Sequence, residues 1–366
     1  MDNKPVTLTL QDLNAFPRSY NSARGKLKLL SQDLGQKVER QSYPLADITD
    51  IDTESLATDT LWIGSPTAEN VVVLISATHG VEGFVGAAIQ IDYLQHLRQN
   101  TPLPSDTAIL IIFALNPFAF AQYRRCDEMG IDLNRNFIDF SRPLPANPGY
   151  VELQQAIYCE DRLQRNAMFE QFQEREGQVA FEIAISGGQY TDQHGPFYGG
   201  QQPAHGHRVI NQVIEDYRLS HRHLAVIDIH SGLGPYSHGE LINDHPLNSP
   251  GFHVAKRWYG PSVTAPESGD SSSVKKAGLL DYHWHELMAE RGSFITLEFG
   301  SYRTQAMFEV ILENHRSWKL ADPEAINASA IAMHEHFCPR DNYWRELILI
   351  KGRQVIQQAI SGLKNE

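Results

Sequence analysis

The stretch "LISATHGVEGFVGAAIQ", residues 74–90, decides how this chain is read. It continues an apolar run, "VVVLISAT" (71–78), that is too unbroken to be exposed on one face. Such a run reads as a strand buried on both faces, as in a parallel sheet. Helical periodicity then takes over in "GFVGAAIQIDYLQHLRQ". Between the two stand His79 and Glu82, among Gly80, Gly83 and Gly86. An imidazole and a carboxylate where a buried strand stops are either ordinary turn residues or ligands of a metal ion. The H-x-x-E match alone favours the turn. The glycines would let the backbone fold tightly around an ion, so the rest of the chain has to decide.

Four more runs read as strands: "TLWIG" (60–64), "TAILIIFAL" (107–115), "HLAVIDIH" (223–230) and "SFITLEFG" (293–300). Helices are expected over 19–35, with a stop at Gly35, over 149–173, near 204–219, over 278–290, and through most of 304–361. This alternation predicts an α/β fold, a mixed, mostly parallel twisted sheet flanked by helices. The expected organisation is an N-terminal extension (1–58) packed on the core, a catalytic domain (59–318) and a C-terminal helical tail (319–366).

Three of the strands end in chemistry of one kind. The first ends at His79 and Glu82, another at His230 before "SGLGPYSHGE", the last at Glu298 before "FGSY". In open α/β sheets ligands bind beyond the carboxyl ends of the strands. A catalytic zinc ion takes three His, Glu or Asp ligands and leaves a fourth position to water. His79, Glu82 and His230 supply that set for one Zn2+. The loop "YRRCDEMGIDLNRNF" adds Arg124, Arg125, Asn134 and Arg135. Arginine forks match a carboxylate with two parallel donors, and asparagine adds a neutral one.

H-x-x-E at His79/Glu82, "GIDLNRNF" at 130–137, "DIHSG" at 228–232 and "TLEFG" at 296–300 together resemble the zinc carboxypeptidase superfamily, in its order of motifs. That superfamily includes the carboxypeptidase A-like enzymes and the aspartoacylase/succinylglutamate desuccinylase-like deacylases. "GLGPYSHGEL" after His230 is similar to a bacterial carboxypeptidase-like branch. The resemblance spans about residues 60–318. It implies that His79, Glu82 and His230 bind zinc and that Glu298 is the general base for the attacking water. It implies that Arg125, or its neighbour Arg124, stabilises the oxyanion, and that Asn134 and Arg135 hold the substrate carboxylate. Members of the family also use a tyrosine on a loop before the general-base strand. Here that loop, 259–284, reads as a flap over the substrate site. Tyr236, Tyr259 and Tyr282 are candidates, and none aligns well enough to take the role.

Composition narrows the alternatives. Lys and Arg number 31 against 44 Asp and Glu, a formal net charge of −13. That argues against nucleic acid and anionic membrane as partners, since both need basic surface. Three widely spaced cysteines, Cys126, Cys159 and Cys338, suit neither a disulfide framework nor a thiolate zinc site. The N-terminus has no secretion-signal pattern, so the expected compartment is the cytoplasm. No G-x-S-x-G occurs, which disfavours a serine hydrolase. His285-Glu286 lacks the second histidine of a helical metalloprotease motif, because residue 289 is Ala289. The expected activity is zinc-dependent hydrolysis of an amide bond beside a free carboxylate. A metallocarboxypeptidase acting on small peptides fits first, and an N-acyl amino acid deacylase is the alternative.

Overall fold

The computed structural model describes residues 13–365 apart from 33, 35–36, 47–55 and 99–102. Gly35, the expected stop of the first helix, lies outside the described residues, as does much of the expected N-terminal extension. Eight strands form one sheet: β1 (Val38–Pro44), β2 (Ala57–Ile63), β3 (Asn70–Ile75), β4 (Thr107–Phe113), β5 (His223–Gly232), β6 (Gly239–Ile242), β7 (Val263–Thr264) and β8 (Gly292–Gly300). Their order across the sheet is β1-β2-β4-β3-β5-β8-β6-β7. The four central strands β4, β3, β5 and β8 run parallel, while β2 joins β4 and β6 joins β8 antiparallel.

The central strands are mainly apolar because both faces are covered, and β5 and β8 turn polar toward their carboxyl ends. Along β3, Val72 and Leu74 enter one core, while Val71, Val73 and Ile75 enter the other. The first layer includes the helices α1 (Tyr20–Gln32) and α2 (Gly83–Leu97). Past the short α3 (Pro117–Ala121) come α4 (Pro148–Ile157), α5 (Arg162–Glu176) and α6 (Gln178–Ser186). These three pack with one another beside the sheet. The second layer contains α7 (His205–Asp216); α8 (Pro250–Tyr259) returns to the first layer, and α9 (Leu280–Met288) to the second. The chain ends in α10 (Thr304–Leu320), α11 (Pro323–Phe337) and α12 (Asn342–Leu363). Trp344 Nε1 of α12 donates to Gly300 O at 2.8 Å, which ties this helix to the end of β8.

Three features differ from the sequence reading. The single helix expected over 149–173 is two helices, α4 and α5. Asp161 stands at the break and its Oδ1 accepts from Leu163 N and Gln164 N, so its carboxylate caps a new helix instead of continuing an old one. The strands β1, β6 and β7, the two edges and the strand beside one of them, carry too little apolar periodicity to announce themselves; β1 reads "VERQSYP". The glycines of the opening motif serve packing. A Cβ at Gly80 would lie 2.1 Å from Ala119 C, one at Gly83 would lie 2.7 Å from Phe120 Cδ1, and one at Gly86 would lie 2.6 Å from Ser76 Cβ. The left-handed residue at this strand end is Ala77, with φ 60°.

Candidate metal centre and substrate cavity

The turn after β3 is set by contacts with the arginine loop. Val81 N donates to Arg124 O at 2.7 Å, and Gly80 N to Arg125 O at 3.4 Å. These bonds bring residues 79–82 beside residues 124–125. From the other side, register does the placing. Ile75 of β3 pairs with Asp228 of β5, and His230 of β5 pairs with Glu298 of β8. Strand side chains alternate faces, so this register fixes which side chains meet.

His79, Glu82 and His230 each offer a ligand atom, and these atoms lie within 4.8 Å of one another. Among the described residues they are the one such group of three or more His, Cys, Asp and Glu side chains. All three are buried, and the two imidazole rings stand 4.9 Å apart at their centroids. Glu82 lies between them: His79 Nδ1 is 2.9 Å from its Oε1, and His230 Nδ1 is 2.9 Å from its Oε2. The far nitrogens face carboxylates. His230 Nε2 is 2.7 Å from Asp228 Oδ2, and His79 Nε2 is 3.1 Å from Asp132 Oδ1. A carboxylate behind a metal-binding imidazole fixes its tautomer and its aim. The donor set therefore fits zinc: two imidazoles presenting Nδ1, one carboxylate, and a carboxylate behind each ring.

Asp132 and Asp228 escaped the sequence reading although both stand inside quoted motifs, "GIDLNRNF" and "DIHSG". Asp228 Oδ1 is held in turn by Thr78 Oγ1 at 2.8 Å. Burial would raise the pKa of Asp132, but Arg125 and His79 beside it outweigh burial and hold its carboxyl well below the usual carboxylate range.

Arg125 donates from Nε to Asp132 Oδ2 at 2.8 Å, and its Nη2 lies 2.7 Å from His79 Nε2. Arg124 faces elsewhere. Its guanidinium lies 4.1 Å over the Trp318 ring and its Nη1 donates to Asp127 O, so it does not line the cavity. Asn134 and Arg135 do line it. Arg135 is anchored through Nε and Nη2 to Ser186 O, at 3.0 and 2.7 Å. Asn134 Oδ1 accepts from Leu280 N at 2.8 Å.

Glu298 lines the same cavity, and its Oε1 accepts from Leu233 N at 3.1 Å. Burial first, and then the charge of Glu82, push its pKa up to about 8. The cavity holds about 830 Å³ of empty space, its open mouth included. Phe197, Leu233 and Phe308 give it apolar walls.

The loop expected to be a flap supplies Ser272, Ser273, Val274 and Lys276 to the lining. It is clasped by Glu240, whose Oε1 accepts from Ser271 Oγ at 2.8 Å and from Ser272 N at 3.1 Å. None of the three candidate tyrosines lines the cavity. Tyr282 donates to Lys276 O, Tyr236 to Asp341, and Tyr259 is buried in the first helix layer. No helix of the described residues is long and apolar enough to cross a membrane.

A family profile described as "Protein of unknown function (DUF2817)" matches residues 16–351. No curated protein matches the chain by sequence. Among solved structures, carboxypeptidase A from Helicoverpa armigera superposes with a TM-score of 0.51 at 14% identity, covering 95% of this chain and 75% of that one. An aspartoacylase family protein from Mesorhizobium loti gives 0.39 at 15% identity, covering 78% and 68%. The murein-tripeptide amidase MpaA from Escherichia coli O157 gives 0.37 at 16% identity, covering 92% and 100%. The fold is carboxypeptidase-like, the α/β class that the motifs imply.

Proposed function

We propose, for a chain that belongs to the DUF2817 family, the function its own site supports best: zinc-dependent hydrolysis of an amide bond next to a free carboxylate. A metallocarboxypeptidase acting on small peptides is the first form of this reading. The observation that carries it is the convergence of His79, Glu82 and His230 within 4.8 Å, in one cavity with Glu298, Arg125 and Arg135.

His79 Nδ1, His230 Nδ1 and Glu82 would hold the ion. When bound there, zinc supplies a water nucleophile at neutral pH and a Lewis acid for the scissile carbonyl. With Nδ1 engaged, each ring carries its proton on Nε2 and donates it to Asp132 or Asp228. His79 Nε2 then cannot accept from Arg125. Arg125 keeps its Nε donor on Asp132 and has its Nη2 hydrogens left for a substrate oxygen, where its charge stabilises the developing oxyanion. Glu298 takes the proton from the attacking water and hands it to the leaving amine. Asn134 and Arg135 bind the substrate's free carboxylate, Arg135 as a cation already fixed by Ser186. Arg124 has no part in this, since its guanidinium lies over Trp318.

The test is metal analysis of the purified protein, followed by turnover of C-terminal peptides and of N-acyl amino acids with zinc-loaded and chelated samples. Hydrolysis of peptides, lost on chelation and restored by zinc, is the expected result. Preference for N-acyl amino acids would move the assignment to the deacylase form. No turnover of either class by zinc-loaded protein would sink the reading.

The carboxylates behind the rings give a smaller prediction. Asp228→Asn and Asp132→Asn are each expected to weaken zinc binding by about 10–100-fold, since each removes an acceptor that orients an imidazole. Competition against a chromogenic chelator measures this directly. Unchanged affinity in both variants would mean that the rings are held by packing alone.

A further inference from the structure

A second cavity adjoins the catalytic one. It holds about 940 Å³ of empty space, its open mouth included, and lies between α5 and α6 on one side and α10 on the other. Thr304 and Phe308 belong to both linings, so the two cavities meet there. Helix α6 spans them as well: Glu182 and Ser186 line the catalytic cavity, Gln178 and Phe181 the second one. Leu312 and Arg165 mark the far end. Arg165 belongs there because its Nη1 shares the carbonyl of Cys159 with Arg316 of α10, one turn beyond Leu312.

Arg165 is a cation short of a counterion. It is 7% exposed, and its one hydrogen bond among the described residues runs from Nη1 to Cys159 O at 3.3 Å. That oxygen also accepts from Arg316 Nη2 at 3.2 Å, so two guanidiniums converge on one neutral acceptor. The neighbouring arginines each have an acid of their own. Arg162 Nη2 is 3.0 Å from Glu309 Oε2, and Arg316 Nη1 is 3.0 Å from Glu313 Oε2. Glu170, the remaining acid of the lining, is exposed and makes no ion pair with Arg165 among the described residues. Local structure does not explain the charge either. Arg162 and Arg165 occupy the first turn of α5, where the helix dipole disfavours cations, and no acid stands in that turn. A buried cation left in this state costs stability, and an anionic ligand relieves the cost.

We propose that this groove holds the acyl half of an elongated peptide substrate, and that Arg165 pairs there with an acidic side chain roughly three to four residues before the scissile bond. The inference rests on the hydrolase reading, which closes the carboxylate end of the substrate at Arg135, so that any further length extends from the acyl half. Both cavities are open to solvent, and a chain can cross their shared edge at Thr304 and Phe308. From Thr304 to Leu312 helix α10 rises about 12 Å, and an extended chain covers about 3.3–3.6 Å per residue. That reach sets the position of the acid. Phe169, Phe181 and Phe308 give the groove apolar walls, and Asn166, Gln173 and Gln305 supply amides that can both donate to and accept from a peptide backbone.

The experiment uses the zinc-loaded full chain and acetylated peptides with a common C-terminal end. Each carries a single glutamate, or glutamine in its place, at one of successive positions before the scissile bond. Glutamate is expected to exceed glutamine by about 10–100-fold in kcat/KM at the third or fourth position, and to make no difference nearer or farther. Arg165→Met keeps an unbranched apolar stem and loses the charge, so that ratio should fall to about one. Without peptide, the variant should resist urea at least as well as the unmodified protein, because it removes a buried cation that lacks a counterion. If the variant does not fold, the position dependence in the unmodified protein still decides. Calorimetry of the same peptides reports binding apart from turnover. Hydrolysis with no glutamate preference at any position overturns the anion site but leaves the hydrolase reading standing. A glutamate preference that survives in Arg165→Met removes Arg165 from the site. Binding that prefers glutamate through Arg165, with no turnover of any peptide or N-acyl amino acid, supports the site and sinks the hydrolase reading.

Discussion

Glu298→Gln is expected to lower kcat by about 10³-fold while zinc content stays at its unmodified level. The amide keeps the shape of the side chain, and its oxygen can still accept from Leu233 N. What it loses is the ability to take a proton. His230 sits opposite on the neighbouring strand and keeps both its own carboxylate partners, Glu82 and Asp228. The fold should barely notice. Burial and Glu82 push Glu298 up to about 8, so near pH 7 the metal-free protein already holds this group mostly neutral. Replacing a neutral acid with a neutral amide removes little stability. The pH profile gives a second readout. A base works only when ionised, so activity should fall with unit slope as pH drops below its pKa. A nearby bound dication favours the ionised form and moves that limb downward from about 8. In the Gln variant the limb should vanish along with most of the rate. A variant retaining activity within tenfold of the unmodified protein would show that another group takes the proton.

Much of this centre is legible in the sequence because strand ends are legible. A parallel strand buried on both faces must be apolar along its length, so the first polar side chains after it stand out. His79 follows β3 in this way, His230 and Glu298 stand out as polar side chains near the carboxyl ends of β5 and β8, and register within the sheet does the rest. Asp228 is legible only by its oddness, an acid inside "HLAVIDIH" that no strand would bury without a partner. Asp132 carries no such mark, since an acid in a polar loop looks ordinary until its oxygens are seen facing His79 and Arg125. Spacing to "DLNRN" favours Arg125 over Arg124 without deciding between them. Adjacent residues on a loop point apart, and only the Trp318 ring, nearly two hundred positions later, shows which guanidinium is occupied. Asp244 and Asp281, which also line the cavity, are invisible for a similar reason: one follows a strand too short for a periodic signal, and the other sits in the first turn of a helix, where an acid is routine.

His230→Ala should have the largest effect, because it strikes the proposed ligand that would tie two distant parts of the chain to one ion. His79 and Glu82 share one turn and would remain together. Without His230 they are two ligands on one arc, with nothing from β5 to close the site. Zinc affinity is expected to fall by about 10³-fold or more, since binding free energies above about 10 kcal/mol in four-ligand structural sites imply several kcal/mol per ligand. Turnover should disappear with the metal. Stability should fall too, for an electrostatic reason. The imidazole lies between the buried carboxylates of Glu82 and Asp228. Removing it leaves Glu82 Oε2 with Ser231 N, and Asp228 with Thr78 Oγ1. Stripping the partner from a buried charge costs about 3–5 kcal/mol. Part of that loss can be recovered by protonation, so the variant should regain stability as pH is lowered toward the carboxylate range. Urea unfolding of the metal-free proteins at two pH values measures this apart from any effect of zinc. A variant that binds one zinc per chain with unchanged affinity would remove His230 from the ligand set. One that loses zinc but keeps full stability at neutral pH would show that water reaches these two carboxylates.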